Sequence, residues 1–388
     1  MKSVVILGST GSIGKSTLDI IRKFPEEFTL YGLAANKNIG LLLEQINDYK
    51  PQVAVLQDVE IFSKHFTAKS TKINRTIFRC GQDYLNELAW DRKATHLINA
   101  ISGSSGLIPS MHCLESGKTL CLANKESMVM GGHLMRELAV KSGSKIIPVD
   151  SEHSALFHLL RNIEQEKVSS IYLTASGGPF WQKKRSDLID IPLEKVLKHP
   201  TWDMGMKITI DSATMANKGL EIIEAHQLFG VEYERIKVII HPQSLIHSMI
   251  ETIDGEFYAQ IGPNDMRLPI QNALTYPHLL KNNYNRLDPF KISGLTFFPV
   301  DENRFPMISM AYYAGKKGGN MPAVFNAMNE ELVNAFIKNK IPFLKIDELL
   351  RDNLEKISLI PDPGLNEILH TDQESRKKIR MEIDKSIP

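Results

Sequence analysis

Asp150 and Glu152 stand two residues apart in Ile147-Pro148-Val149-Asp150-Ser151-Glu152-His153, at the end of an apolar run. Residues i and i+2 of an extended segment share a face, so the pair reads as a site for one hard divalent cation. The same stretch also permits a structural reading, in which Asp150 or Ser151 caps a helix beginning near Ala155. A second group lies in Asp211-Ser212-Ala213-Thr214-Met215-Ala216-Asn217-Lys218-Gly219-Leu220-Glu221. Here Ser212, Asn217 and Lys218 offer a hydroxyl, an amide and a cation near a helix start, a set suited to phosphate. Glu221, on the helix face of Lys218, is either a third metal carboxylate or a first-turn acid favoured by the helix dipole. Ser176-Gly177-Gly178 follows the strand Ile171 to Thr174 and forms either an anion-binding nest or a plain turn. In Lys198 to Met206 a large aromatic, Trp202, sits between Pro200 and Gly205, the composition of a covering loop.

These groups need elements to hold them. Val4 to Leu7 reads as a buried strand, and Gly8-Ser9-Thr10-Gly11-Ser12-Ile13-Gly14 as a glycine turn opening a helix, where backbone and helix N-terminus can meet a pyrophosphate. The spacing is GxxGxxG rather than GxGxxG. A second strand, Phe28 to Ala34, ends in Ala35-Asn36-Lys37-Asn38, with no acid for a ribose 2′-hydroxyl but a Lys and two amides for a 2′-phosphate. NADP is therefore favoured over NAD. Helix Ile39 to Asp48, strands Gln52 to Leu56 and Thr95 to Ala100, helix Leu107 to Glu115 and strand Thr119 to Leu122 continue the alternation, which implies a parallel sheet. Loops Ala100 to Gly106 and Ala123 to Ser127 then flank the same crevice, with Lys125 as a cation beside substrate or cofactor.

Beyond Asp150 the expected elements are mixed: a strand Lys207 to Ile210, a helix through Phe229, a strand Ile236 to Ile240 and a hairpin turning at Asp254-Gly255. His241 and His247 are read as structural. After a proline-marked connection, helices are expected at Met307 to Ala314, Ala323 to Lys338, Ile346 to Ile357 and Gln373 to Lys385. The expected fold class is α/β: an N-terminal Rossmann-like parallel sheet (residues 1–149), an α+β middle domain (150–275), a linker (276–302) and a C-terminal α-helical bundle (303–388).

Composition narrows the partners. With 46 Lys+Arg against 45 Asp+Glu, the formal charge of +1 supplies no global field for nucleic acid or an anionic membrane, so any anion must be held locally. The 43% apolar content is ample for two or three cores. Cys80, Cys113 and Cys121 form no CxxC pair and are odd in number, as expected in a reducing compartment. The run Val4 to Leu7 is too short for a signal segment, and a cytoplasmic protein is expected.

Taken together, GSTGSIG at 8–14, ANKES at 123–127, PVDSEH at 148–153, SGGPF at 176–180, HPTWDMG at 199–205, DSATMANKGLE at 211–221 and HPQSLIHSM at 241–249 resemble the 1-deoxy-D-xylulose 5-phosphate reductoisomerase family over essentially the whole chain. The resemblance implies a homodimer that uses NADPH and Mg²⁺ or Mn²⁺ to convert a phosphorylated sugar. It assigns Asp150, Glu152 and Glu221 to the metal, and Lys125 and Ser151 to the substrate backbone. It puts Ser176, His199, Ser212, Asn217 and Lys218 around the phosphate, with Trp202 and Met204 on a flap. Cofactor contacts fall to Gly8, Thr10, Gly11, Ser12, Ile13, Asn36, Lys37, Asn38, Ala100, Asn124, Glu126 and Gly205. The rival readings are another NADPH-dependent dehydrogenase acting on a hydroxy or keto acid, and an NADPH-binding regulator without catalysis.

Overall fold

The structure, a computed structural model, describes residues 1–202, 204–281 and 284–386. Asp203, within the expected covering loop, lies outside the described residues. The chain forms two compact units: Met1–Ser127, Met135–Ser154 and Asp265–Tyr284 make the first, and Met128–Leu134, Ala155–Asn264 and Asn285–Pro388 the second. These units cut the chain differently from the expected domains, because residues 265–284 belong to the first.

The first unit carries β1 (Lys2–Leu7), β2 (Phe28–Ala35), β3 (Val53–Leu56), β4 (Ser70–Ile73), β5 (Thr76–Cys80), β6 (His96–Asn99), β7 (Thr119–Leu122) and β8 (Lys145–Pro148) in the order β4-β5-β3-β2-β1-β6-β7-β8. β1 is parallel to both β2 and β6, so the strand order reverses on either side of it. That places a ligand crevice beyond its carboxyl end. Val4, Val5, Ile6 and Leu7 are all fully buried, as a strand covered on both faces requires. One edge departs from the expected parallel sheet: β4 pairs antiparallel with β5. Helix Arg267–Thr275 closes the unit, where Lys2 Nζ donates to Leu274 O at 2.5 Å and Arg267 reaches Asp19 at 3.2 Å.

The second unit carries β9 (Val168–Ala175), β10 (Ile236–Ile240), β11 (Ile246–Thr252), β12 (Phe257–Ile261) and β13 (Phe298–Pro299) in the order β12-β11-β9-β10-β13. The hairpin expected at Asp254-Gly255 is the antiparallel β11–β12 pair. Ile171 and Leu173 of β9, Leu220 and Ile223 of helix Ala216–Phe229, and Phe325, Phe336 and Leu350 from later helices belong to one buried cluster. The C-terminal helices Met307–Lys317, Met321–Ile337, Lys345–Leu354 and Leu365–Lys385 therefore share their core with the middle of the chain.

The expected strand Lys207 to Ile210 is instead part of helix Met206–Thr214. Its β-branched Ile208, Thr209 and Ile210 suggest a strand. Packing overrides that propensity, for Thr209, Ile210, Ala213 and Thr214 all bury, and Lys207 Nζ meets the buried Asp211 four residues on at 2.8 Å.

Candidate functional site

The glycine turn is built for close approach. Gly8 has φ +81°, and a Cβ there would lie 2.4 Å from the Ala100 carbonyl oxygen, so the turn presses against the end of β6. Gly8 and Ser9 both donate their N–H to Ala34 O at 2.9 Å, and Ser9 is bolted to Gln45 through hydrogen bonds of 2.7 and 2.9 Å. Gly11 is the N-cap of helix Ser12–Lys23, without a side-chain cap, leaving first-turn N–H groups for an anion. Gly8, Thr10, Gly11, Asn36 and Ala100 line one cleft, together with Gln57 and Leu85. Ser12 and Ile13 open the helix, whereas Lys37 is exposed and Asn38 caps helix Ile39–Tyr49 by accepting the Leu41 N–H at 3.2 Å. A cleft with this lining beside a helix N-terminus fits a dinucleotide pyrophosphate.

Beside β7, Asn124 ties the strand ends together. It caps helix Lys125–Ser142 and donates to Ile101 O at 2.8 Å and Gly103 O at 2.9 Å, while its amide also meets Glu126 Oε2 at 3.0 Å. Lys125, first in that helix and 4% exposed, places Nζ 2.5 Å from Asp150 Oδ2. Burial raises the Asp150 pKa, but the Lys125 ammonium and His153, 3.7 Å from Oδ1, outweigh it and hold the carboxyl well below its ordinary range. Asp150 and Glu152 do not sit on one extended strand. Helix Ser151–Leu160 begins immediately after Asp150, with Ser154 N donating to Asp150 O at 2.8 Å, and Glu152 is in its first turn, hydrogen-bonded to Ser151. The donor set consists of hard carboxylate oxygens, which suits Mg²⁺ or Mn²⁺.

The second unit supplies two further groups. Ser176 Oγ and Ser212 Oγ lie 2.9 and 3.1 Å from His199 Nε2. Their approach depends on Gly178, whose φ is +66° and where a Cβ would meet Ser212 O at 2.7 Å. His199 Nδ1 accepts the N–H of Thr201 at 3.3 Å and of Trp202 at 3.0 Å, so the ring proton resides on Nε2. Burial pushes its pKa down to about 4, leaving a neutral N–H donor between two hydroxyls. Trp202 is half-buried, its ring 6.3 Å from that of His247. Met204 is also half-buried, and Gly205 is the N-cap of helix Met206–Thr214.

In the second group, Lys218 and Asn217 both hydrogen-bond Glu221, the latter at 2.5 Å. Lys218 and Glu221 are 4% and 1% exposed. Lys218, expected at the phosphate, is thus paired with the Glu221 carboxylate. His241 is structural, as expected: Nδ1 donates to Thr296 O at 2.9 Å and Nε2 accepts from Leu245 N at 3.2 Å. Sequence reasoning missed His153 as a partner of Asp150 and Gln57 as a cleft residue. The i, i+3 spacing of Asp150 and His153 was a usable signal; Gln57 gave none.

Three family models match in order: 1-deoxy-D-xylulose 5-phosphate reductoisomerase over residues 4–132, its C-terminal domain over 146–229 and the DXP reductoisomerase C-terminal domain over 261–378. The chain is 46% identical over 378 residues to 1-deoxy-D-xylulose 5-phosphate reductoisomerase of Halalkalibacterium halodurans, covering 97% of this chain and 98% of that protein. It is 45% identical over 386 residues to the enzyme of that name from Clostridium botulinum, covering 99% and 100%. Among solved structures it is similar to DOX-P reductoisomerase in complex with NADPH, fosmidomycin and magnesium (TM-score 0.92, 35% identity, 99% and 98% covered). It is also similar to the Zymomonas mobilis enzyme in complex with NADPH (TM-score 0.89, 36% identity, 98% and 99% covered).

Proposed function

The chain belongs to the 1-deoxy-D-xylulose 5-phosphate reductoisomerase family, and from that premise we propose that it converts 1-deoxy-D-xylulose 5-phosphate to 2-C-methyl-D-erythritol 4-phosphate for isoprenoid precursor synthesis, using NADPH and Mg²⁺ or Mn²⁺. The observation that carries this reading is the Ser176–His199–Ser212 cluster. A neutral N–H donor fixed between two hydroxyls suits a phosphate, which a simple hydroxy-acid dehydrogenase would have no need to hold. NADPH oxidation followed with the sugar phosphate, with and without divalent metal, tests it. Turnover should require both, and metal-independent reduction of a hydroxy or keto acid would favour the rival enzyme.

In this reading the first unit holds NADPH in the glycine-turn cleft, and Asp150, Glu152 and Glu221 are the metal ligands. When bound, these groups supply Lewis-acid polarisation of the substrate's carbonyl and a hydride for the rearranged aldehyde. The chain's own residues do the rest. Lys125 Nζ keeps Asp150 ionised and is a donor for a substrate hydroxyl oxygen. His199 Nε2–H and the hydroxyls of Ser176 and Ser212 bind the phosphate, so binding energy is gained away from the reacting carbons. Trp202, whose backbone N–H is anchored on His199, covers that site and excludes water.

That anchoring leads to an expected result. Binding of a phosphonate that carries a metal-chelating hydroxamate should quench or shift Trp fluorescence, and Trp202→Ala should remove most of the change against Trp90 and Trp181. The same variant should lose catalytic efficiency while keeping its thermal stability. Wild-type kinetics in Trp202→Ala would make the loop a passive surface segment.

We also propose a homodimer and a cytoplasmic location. β12 is an edge strand that exposes Phe257, Tyr258 and Ile261, a template for a second copy. Light scattering should give twice the chain mass, and Phe257→Lys should shift it towards one. All three cysteines are free thiols, which suits a reducing compartment. No helix among the described residues is long and apolar enough to cross a membrane.

A further inference from the structure

The cleft of the first unit extends past the end of β2 to a residue that the glycine turn does not explain. Gln57, directly after β3, is held beside β2 by its backbone: its N–H donates to Ala35 O at 2.8 Å, and the next N–H, of Asp58, donates to Asn36 O at 3.1 Å. Gln57 lines the cleft with Asn36 and Leu85. Gln57 Nε2 donates to Gln82 Oε1 at 2.7 Å, and Gln82 Nε2 donates in turn to Asn86 Oδ1 at 2.9 Å. Gln82 and Asn86 are one turn apart in helix Gln82–Trp90, which also contributes the buried Leu85. One of the two Gln57 Nε2–H groups is bound to Gln82, which orients the amide and leaves Oε1 as the acceptor it offers to a ligand.

In a sheet of this kind the pyrophosphate sits at the glycine turn and the ribose at the end of β2, which leaves the base beyond β2, at the end of β3. Leu85 supplies an apolar wall for a purine face, and Gln57 an acceptor for its edge. We infer that Gln57 reads the 6-amino group of the cofactor's purine, with Gln82 and Asn86 fixing the sense of its amide. This inference rests on the reading that the first-unit cleft holds NADPH. It makes the site selective for adenine over a 6-oxopurine, whose carbonyl oxygen would face Oε1, acceptor against acceptor.

The test is direct binding, by fluorescence or calorimetric titration, of NADPH and of its reduced hypoxanthine analogue, without sugar or metal. The wild type should favour NADPH by about tenfold, the discrimination expected when one hydrogen bond is replaced by an unmatched acceptor pair. Gln57→Leu should bring the two cofactors close to parity, chiefly by weakening NADPH. Gln82→Leu, which leaves Gln57 in place but frees its amide to rotate, should lower the preference by a smaller factor. Equal affinity of the wild type for both cofactors, or an unchanged ratio in Gln57→Leu, would overturn the inference alone. Failure of the wild type to bind NADPH would overturn the cofactor reading together with it.

Discussion

Replacing Asp150 by Asn, or Glu221 by Gln, is expected to lower kcat by on the order of 10³-fold while NADPH binds with nearly unchanged affinity. An amide keeps the shape of the carboxylate but not its charge, and a hard divalent ion depends on that charge. Several kcal/mol of transition-state stabilisation then go with the metal, at about 1.4 kcal/mol per tenfold in rate. Each carboxylate also has a second duty, because Asp150 is bonded to the buried Lys125 and Glu221 to the buried Lys218. Breaking a buried pair from one side costs about 3–5 kcal/mol, so a lower Tm is expected as well. Thermal melts and NADPH titration on the same preparations separate the two effects: a folded variant that binds NADPH but cannot be rescued by excess Mn²⁺ has lost metal function. The pH dependence gives an independent check. The folded pKa of Asp150 lies below its ordinary value, so the stability its ionised form contributes is fully present above about pH 4 and is lost as pH falls through the folded value. Around neutral pH the carboxylate is already ionised, and raising the pH should not restore the Asn variant. Wild-type kcat at saturating Mg²⁺ in either variant would sink the metal assignment.

The glycine turn was legible because two of its glycines answer a steric demand that another residue would violate: a Cβ on Gly8 would lie 2.4 Å from Ala100 O, and one on Gly14 2.5 Å from backbone atoms of Gly8 and Ser9. The β11–β12 hairpin was legible for the same reason, with Gly255 at φ +89° in the turn. Local codes of this kind survive translation into structure. Helix Met206–Thr214 did not, because its residues favour a strand and only burial against the second unit's core makes it helical. Its Lys207–Asp211 spacing was the one sequence signal for a helix, and Asp211 is held further by Asn329, 118 residues away, at 2.9 Å. A strand rule for Asp150 and Glu152 misses the local geometry, because Glu152 lies in the first turn of a helix. Neither the return of residues 265–284 to the first unit nor the place of Gln57 could be read locally. Both depend on contacts between distant segments, such as Lys2 with Leu274 and Gln57 with Ala35.

Ser212→Ala should raise KM for the sugar phosphate by about tenfold to a hundredfold, the 1.5–3 kcal/mol of a hydrogen bond to a charged group, and leave the metal requirement unchanged. Lys218→Ala is a less selective probe, because Lys218 Nζ is bonded to Glu221 and its loss should weaken metal and phosphate binding together. The serine acts with His199, whose Nε2–H is shared by Ser176 and Ser212 and whose Nδ1 is tied to the backbone of Thr201 and Trp202. Ser212→Ala and His199→Ala should therefore be non-additive in KM, since each removes part of one network. The ring is neutral in the folded state down to about pH 4, whereas in the unfolded chain it takes a proton near pH 6.5. Stability from the buried neutral ring is thus present above about pH 6.5 and declines as pH falls towards 4. His199→Ala should flatten that decline in a pH series of thermal melts. The decisive comparison uses the unphosphorylated sugar, for which Ser212→Ala should cost nothing further. If the wild type turned over that sugar as well as its phosphate, the cluster would not be a phosphate clamp.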